Sequence, residues 1–218
     1  MSHRDQFGLM VTSADAAAVR RFDIAVAKLL TFNNDPVAEV DQATAIDPGL
    51  VMGHALKGLL CVLGMEKSLL PDARAALAAG KAAAEGASAR ERRHLVALEA
   101  WIDGRFNDAC SAWEDILVEY PNDGLAMMAA HQGDFFLSQS SELRDRVARR
   151  LPDIDRGSRL EGYYQGMYAF GLEEMADYAR AEEAGRRAVA SDPRDAWAIH
   201  AVAHVLEMTN RIADGQEW

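Results

Sequence analysis

Three amphipathic stretches of the chain end alike, at ATAIDPGL around Pro48, DILVEYPND around Pro121 and RAVASDPRD around Pro193. In each, a helical run stops at a proline beside an acidic residue or asparagine, and a new apolar run begins. The spacings are 73 and 72 residues. Each interval therefore holds two units of about 36 residues, the size of a helical-repeat unit made of two antiparallel helices. Such a period constrains the fold more than any single residue does. One helix pair cannot bury its apolar face alone and must stack on the next.

Within the intervals the apolar spacing is helical. Ser88 to Asp103 places Leu95, Leu98, Trp101 and Ile102 on one face. Gly104-Arg105-Phe106 breaks that run, and Asn107 to Glu119 follows with Ala109, Trp113, Ile116 and Leu117. Leu50 to Met65 with Pro71 to Glu85 forms another pair, the proline standing at the first helical position. Leu125 to Leu137 with Ser141 to Leu151 forms a third, with Ser140 or Ser141 as its N-cap. Ala14 to Phe32 with Pro36 to Ile46 opens the array. Asp195 to Met208 leads through a turn at Thr209 to Arg211 into Ile212 to Trp218. No stretch sustains period-two alternation, so no sheet is expected and the fold class is all-α. Residues 1–12 are expected to be a tail and residues 13–218 a single helical array.

Composition narrows the function. Thirty-four acidic side chains against 23 basic ones give a net charge of −11 over 218 residues, which repels phosphate backbones and anionic lipid. No nucleic acid and no membrane partner is expected. Cys61 and Cys110 do not make a disulfide framework, and the N-terminus lacks a signal-peptide pattern, so the expected location is the cytoplasm. Both thiols read as small buried hydrophobes. Alanine occurs 40 times, the small side chain that lets neighbouring helices approach closely.

The stretches DPGLVMGHALKGLL, RRHLVALEAWIDGRFNDACSAWEDIL and DAWAIHAVAHVLEM resemble the tetratricopeptide repeat protein 38 family, in one order from about Phe22 to the C-terminus. The resemblance implies a right-handed α-solenoid of tetratricopeptide-like helix pairs, here about five and a half. It also implies a longer protein, about twice this length, of which this chain is the N-terminal part. GQEW ends mid-helix, which fits a truncated array. With Pro121 at position 32 of the unit, Ala109 and Trp113 take the consensus places 20 and 24. The same alignment on Pro193 gives Tyr168 at 7, Ala181 at 20 and Ala188 at 27.

Carried over from tetratricopeptide proteins generally, the positions that line the concave groove are Glu91, His94, Leu98 and Trp101, then Leu125, Met128, Gln132 and Phe135. Tyr163, Gly166, Phe170 and Glu173 come next, and Trp197, His200, His204 and Glu207 complete the set. His54 and His131 also fall on first helices. The groove is expected to bind through Glu91, His94, Trp101, His131, Tyr163, Trp197, His200, His204 and Glu207. His200 and His204 are four apart and Glu207 follows three later, one helical face on which two imidazoles and a carboxylate suit a divalent metal such as zinc. Packed histidines are the plainer reading. Arg144, Arg146, Arg149 and Arg150 read as a solvated face near a helix C-terminus, and Glu173, Glu174 and Asp177 as surface pairing.

Two functional readings follow. The favoured one is a non-enzymatic scaffold, without cofactor, whose groove takes a peptide, protein segment or small ligand. The alternative is a metal-dependent or His/Glu-dependent enzyme of hydrolase type in the same groove. Self-association through the unfinished C-terminal helix, exposing Ile212 and Trp218, is a further expectation. Fold alone does not choose between them.

Overall fold

The computed structural model describes residues 2–218. A short antiparallel hairpin, β1 (Ser2–Arg4) and β2 (Met10–Thr12), precedes the helices. These are α1 (Ala16–Leu30), α2 (Pro36–Ile46), α3 (Val51–Leu63), α4 (Leu70–Ala83), α5 (Ala89–Ile102) and α6 (Phe106–Glu119). Then come α7 (Gly124–Phe136), α8 (Ser140–Arg150), α9 (Arg159–Glu174), α10 (Tyr178–Ser191), α11 (Ala196–Met208) and α12 (Ile212–Glu217). The all-α class holds, with adjacent helices packed in pairs.

The chain reverses by two alternating devices. After each odd-numbered helix, the second residue beyond its end is left-handed. Phe32, Met65, Ser138, Ala176 and Asn210 have φ between 53° and 58°, and Gly104 has φ 78°. These six fall 33 to 39 residues apart. Four of the turns close with the bond that defines this helix ending: Arg105 N to Ala100 O at 2.9 Å, Gln139 N to Asp134 O at 2.8 Å, Asp177 N to Leu172 O at 2.9 Å and Arg211 N to Leu206 O at 2.8 Å.

The second device follows α2, α6 and α10, where Pro48, Pro121 and Pro193 occupy the second place of four-residue turns. Leu50 N donates to Asp47 O, Asp123 N to Tyr120 O and Asp195 N to Asp192 O, at 3.0, 2.9 and 3.0 Å. Proline's fixed φ suits that place. Asp123 and Asp195 then cap the next helix, accepting from Ala126 N and Ala198 N.

The described residues divide into two compact units. The first comprises the chain up to Leu29 together with Asn34–Gly133, and the second comprises Leu30–Asn33 with Asp134–Trp218. Small residues set the helix spacing in each. A Cβ on Gly58 would stand 2.4 Å from Leu98, and one on Gly185 would stand 2.5 Å from Val202. Ala109, Ala181 and Ala188 are buried.

Four local expectations need correction. Residues 2–12 are a hairpin and not a loose tail. Asp5 accepts from Phe7 N and Leu9 N, and Gly8 takes φ 81°, which closes a turn between strands too short to display alternation. The N-cap of α8 is Gln139, not Ser140 or Ser141, because the turn after α7 has already ordered its backbone. Arg146 is no solvated side chain. It is buried and pairs with Asp134 through Nε at 2.7 Å and Nη2 at 3.0 Å. At the C-terminus Ile212 is exposed, but Trp218 donates from Nε1 to Ile199 O and lies under the Arg186 guanidinium. Among the described residues, no helix is long and apolar enough to cross a membrane.

Candidate binding site

In the second unit, α9 and α11 pack side by side. Phe170 and Glu173 lie one turn apart on α9, and Trp197, His200 and His204 recur at helical spacing on one face of α11. The Leu30–Asn33 segment is tied to the start of α11. Ala196 N donates to Thr31 O at 3.2 Å, and Asn33 Nδ2 donates to Thr31 Oγ1 at 2.6 Å and to Arg194 O at 3.2 Å. That tie brings Phe32 edge-on to Trp197, with ring centroids 5.3 Å apart.

The rings then form one continuous cluster. Trp197 lies 5.3 Å from Phe170, Phe170 lies 5.5 Å from Phe135, and the His200 ring lies 5.9 Å from Phe170. His200 and His204 face each other at 4.2 Å. Phe170 is buried and anchors the cluster, while Phe32 is 68% exposed and Phe135 40% exposed. His200 is exposed as well. Phe32 adopts the same left-handed helix ending as Met65, Ser138 and Ala176, which costs its bulky side chain about 1–2 kcal/mol.

One turn along α9 from Phe170 sits a carboxylate. Glu173 is only 8% exposed. Its Oε2 accepts no hydrogen bond, and the nearest basic atom is His204 Nδ1 at 3.6 Å. Burial pushes the Glu173 carboxyl up, and adjacent Glu174 adds to this, while His204 pulls the other way. Burial also lowers His200, aided by His204. Among the described residues, no arginine or lysine forms an ion pair with Glu173.

The structure thus gathers Trp197, His200 and His204 as the sequence places them, on one face of α11. It gives His204 a different carboxylate neighbour. Glu207 is exposed, whereas Glu173 reaches His204 from α9. Among the described residues, no group of three or more His, Cys, Asp or Glu side chains could hold a metal ion. Glu173 does not join surface pairing with Glu174 and Asp177, since it faces inward.

The remaining candidates lie in cores. Glu91 is fully buried and accepts from Thr12 N, Thr12 Oγ1 and Ser88 N, all at 2.7 to 2.8 Å, joining β2 to the start of α5. His94 is buried against Asp123 at 3.0 Å, beside the Arg90–Asp123 pair at 2.6 Å. Burial pushes Asp123 up, yet His94 and Arg90 outweigh it and hold the carboxyl well below the usual range. Trp101, His131 and Tyr163 are at most 5% exposed. His131 and Tyr163 are packed inside their units, while Trp101 borders an open depression with Met65, Leu70 and Phe106.

Phe32 had no place among the candidates. Its signal was an aromatic side chain at a helix-ending position that favours glycine or asparagine. The first unit also holds an open depression of about 520 Å³ lined in part by Asp41, His54, Lys57 and Cys61. Its polar groups are largely satisfied internally, Lys57 by Asp41 and His54 by Pro48 O. No family model and no solved structure matches the chain.

Proposed function

We propose that this chain is a binding scaffold of the tetratricopeptide type, a right-handed α-solenoid of about five and a half helix pairs. Its second unit takes a peptide or protein segment on the face formed by Phe32, Phe135, Trp197 and His200. The observation that carries the reading is the ring cluster itself, anchored by buried Phe170 yet left open at Phe32 and Phe135. Aromatic anchors that are partly pre-buried bind with little loss of conformational freedom. The recurrent left-handed turns and the resemblance to the tetratricopeptide repeat protein 38 family support the repeat assignment. An acidic chain whose Cys61 and Cys110 form no disulfide suits the cytoplasm.

The test is selection from a displayed random peptide library. The wild-type chain enriches a defined sequence class, and a folded Phe32→Ala, Trp197→Ala double variant binds those peptides at least tenfold more weakly. Failure to enrich any class, or equal binding by the double variant, overturns the reading.

One observation favours a second reading. Glu173 beside His204 is the carboxylate–imidazole arrangement of a His/Glu-dependent hydrolase. A scaffold needs no cofactor. The enzyme reading, in its metal-dependent form, calls for about one equivalent of zinc or a similar ion in protein purified without a metal-affinity step, lost in a His200→Ala, His204→Ala double variant.

A further inference from the structure

We propose that Glu173, together with the ring cluster that begins one helical turn away at Phe170, forms a recognition site for a guanidinium group, the side chain of an arginine in the bound segment. The inference deepens the peptide-binding reading and rests on it only for what carries the cation.

The argument starts from an unsettled charge. A buried carboxylate is normally paired with a cation or saturated with hydrogen bonds, because desolvation otherwise penalises it. Two buried carboxylates follow that rule, since Asp123 has Arg90 and His94, and Asp134 has Arg146. Glu173 departs from it. It is nine-tenths buried, Oε2 accepts no hydrogen bond, and α11 offers it only His204 Nδ1 at 3.6 Å. The next residue on its own helix is another carboxylate, exposed Glu174, whose charge disfavours ionised Glu173.

Its surroundings suit a flat, weakly hydrated cation. Buried Phe170 links half-buried Trp197 to Phe135, and the exposed π surface of this cluster is that of Phe135 and Phe32. A guanidinium stacks on aromatic faces and offers paired donors to a carboxylate, which an ammonium does not do as well. His204, the imidazole beside Glu173, has 40% of its side chain exposed. Exposed side chains change rotamer within nanoseconds. Turning that ring outward opens Glu173 to a ligand, so His204 acts as the internal stand-in that the arginine displaces. The chain's net charge of −11 favours the approach of a basic segment.

The experiment is calorimetric titration of the full chain with three blocked hexapeptides, alanine-based with a central Arg, Glu or Ala, and with butylguanidinium. The Arg peptide is expected to bind at least tenfold more tightly than the other two. Glu173→Gln, which keeps shape and removes charge, is expected to lose at least tenfold for the Arg peptide while melting like wild type. His204→Ala, which removes the stand-in, is expected to bind the Arg peptide at least twofold more tightly, a gain that a merely structural residue does not give.

Equal affinity of wild type and Glu173→Gln for the Arg peptide overturns the inference, as does weaker binding by folded His204→Ala. If all three hexapeptides bind alike and depend on Trp197 but not on Glu173, the inference fails and the peptide-binding reading survives. If butylguanidinium binds in a Glu173-dependent way and no peptide does, the cation site stands and the peptide reading falls.

Discussion

Asp195 carries two duties that pull against each other. It caps α11 by accepting from Ala198 N at 3.0 Å, and it is almost completely buried against Gly166. Burial pushes its carboxyl up to about 6, only partly offset by the Ala198 hydrogen bond. Asp23, in the first unit, is pushed up to about 6 for the same reason, with Asp5 adding to it. An unfolded aspartate titrates near 3.9. A carboxyl raised on folding stabilises the fold fully below the unfolded value, and that contribution is lost as pH rises through about 6. Stability is therefore expected to fall between about pH 4 and pH 6. Asparagine keeps the cap and removes the charge, so Asp195→Asn is expected to gain about 1–2 kcal/mol at pH 8 and nothing at pH 4. Thermal melts of both proteins at the two pH values decide it, and an equal gain at both sinks the argument. At this scale the sequence is uneven. His200 and His204 were legible as a pair because four residues in one helix fix their separation. Glu173 and Phe32 were not legible as their neighbours, since they arrive from other helices whose approach is set by packing.

Helix endings give a matched pair of substitutions at the scale of elements. Ala176 and Gly104 occupy equivalent left-handed positions after α9 and α5, and nothing lies within 4 Å of a Cβ built on Gly104. Ala176 is exposed, so backbone conformation dominates at both positions. Ala176→Gly is expected to stabilise by about 1 kcal/mol and Gly104→Ala to destabilise by about the same, a shift of a few degrees in melting temperature each way. Gly171 obeys a different rule. A Cβ there would lie 2.6 Å from Arg144 Cα and 2.8 Å from Leu143 O, backbone atoms that cannot rotate aside. Gly171→Ala, ordinarily favourable inside a helix, is expected to cost about 1–3 kcal/mol by forcing α8 from α9. A denaturant midpoint equal to or above wild type would show that α8 gives way cheaply. The helices themselves were legible because period, caps and prolines agree; α2 begins at Pro36 and ends at Ile46, as the pattern requires. The hairpin was hidden because each strand has three residues and its anchor, Glu91, lies 79 residues from Thr12.

For the molecule as a whole, the division into two units separates stability from binding. Every residue proposed to touch a ligand belongs to the second unit: Phe32 through the Leu30–Asn33 segment, and Phe135, Phe170, Glu173, Trp197, His200 and His204 through Asp134–Trp218. Glu91 belongs to the first, where one carboxylate holds three donors: the N–H and hydroxyl of Thr12 and the N–H of Ser88. Truncating it leaves the two backbone donors without their partner inside the unit and removes the link between the hairpin and α5. Glu91→Ala is expected to cost about 2–4 kcal/mol of stability. Because no atom of that network enters the ring cluster, the folded variant is expected to bind the arginine hexapeptide within twofold of wild type at a temperature well below its melting point. Melting curves and calorimetric titration on the same sample separate the two effects. A loss of stability without a loss of affinity places Glu91 in the framework of the first unit. A parallel loss of affinity in a folded protein returns it to the binding surface, where its groove position in the repeat had put it.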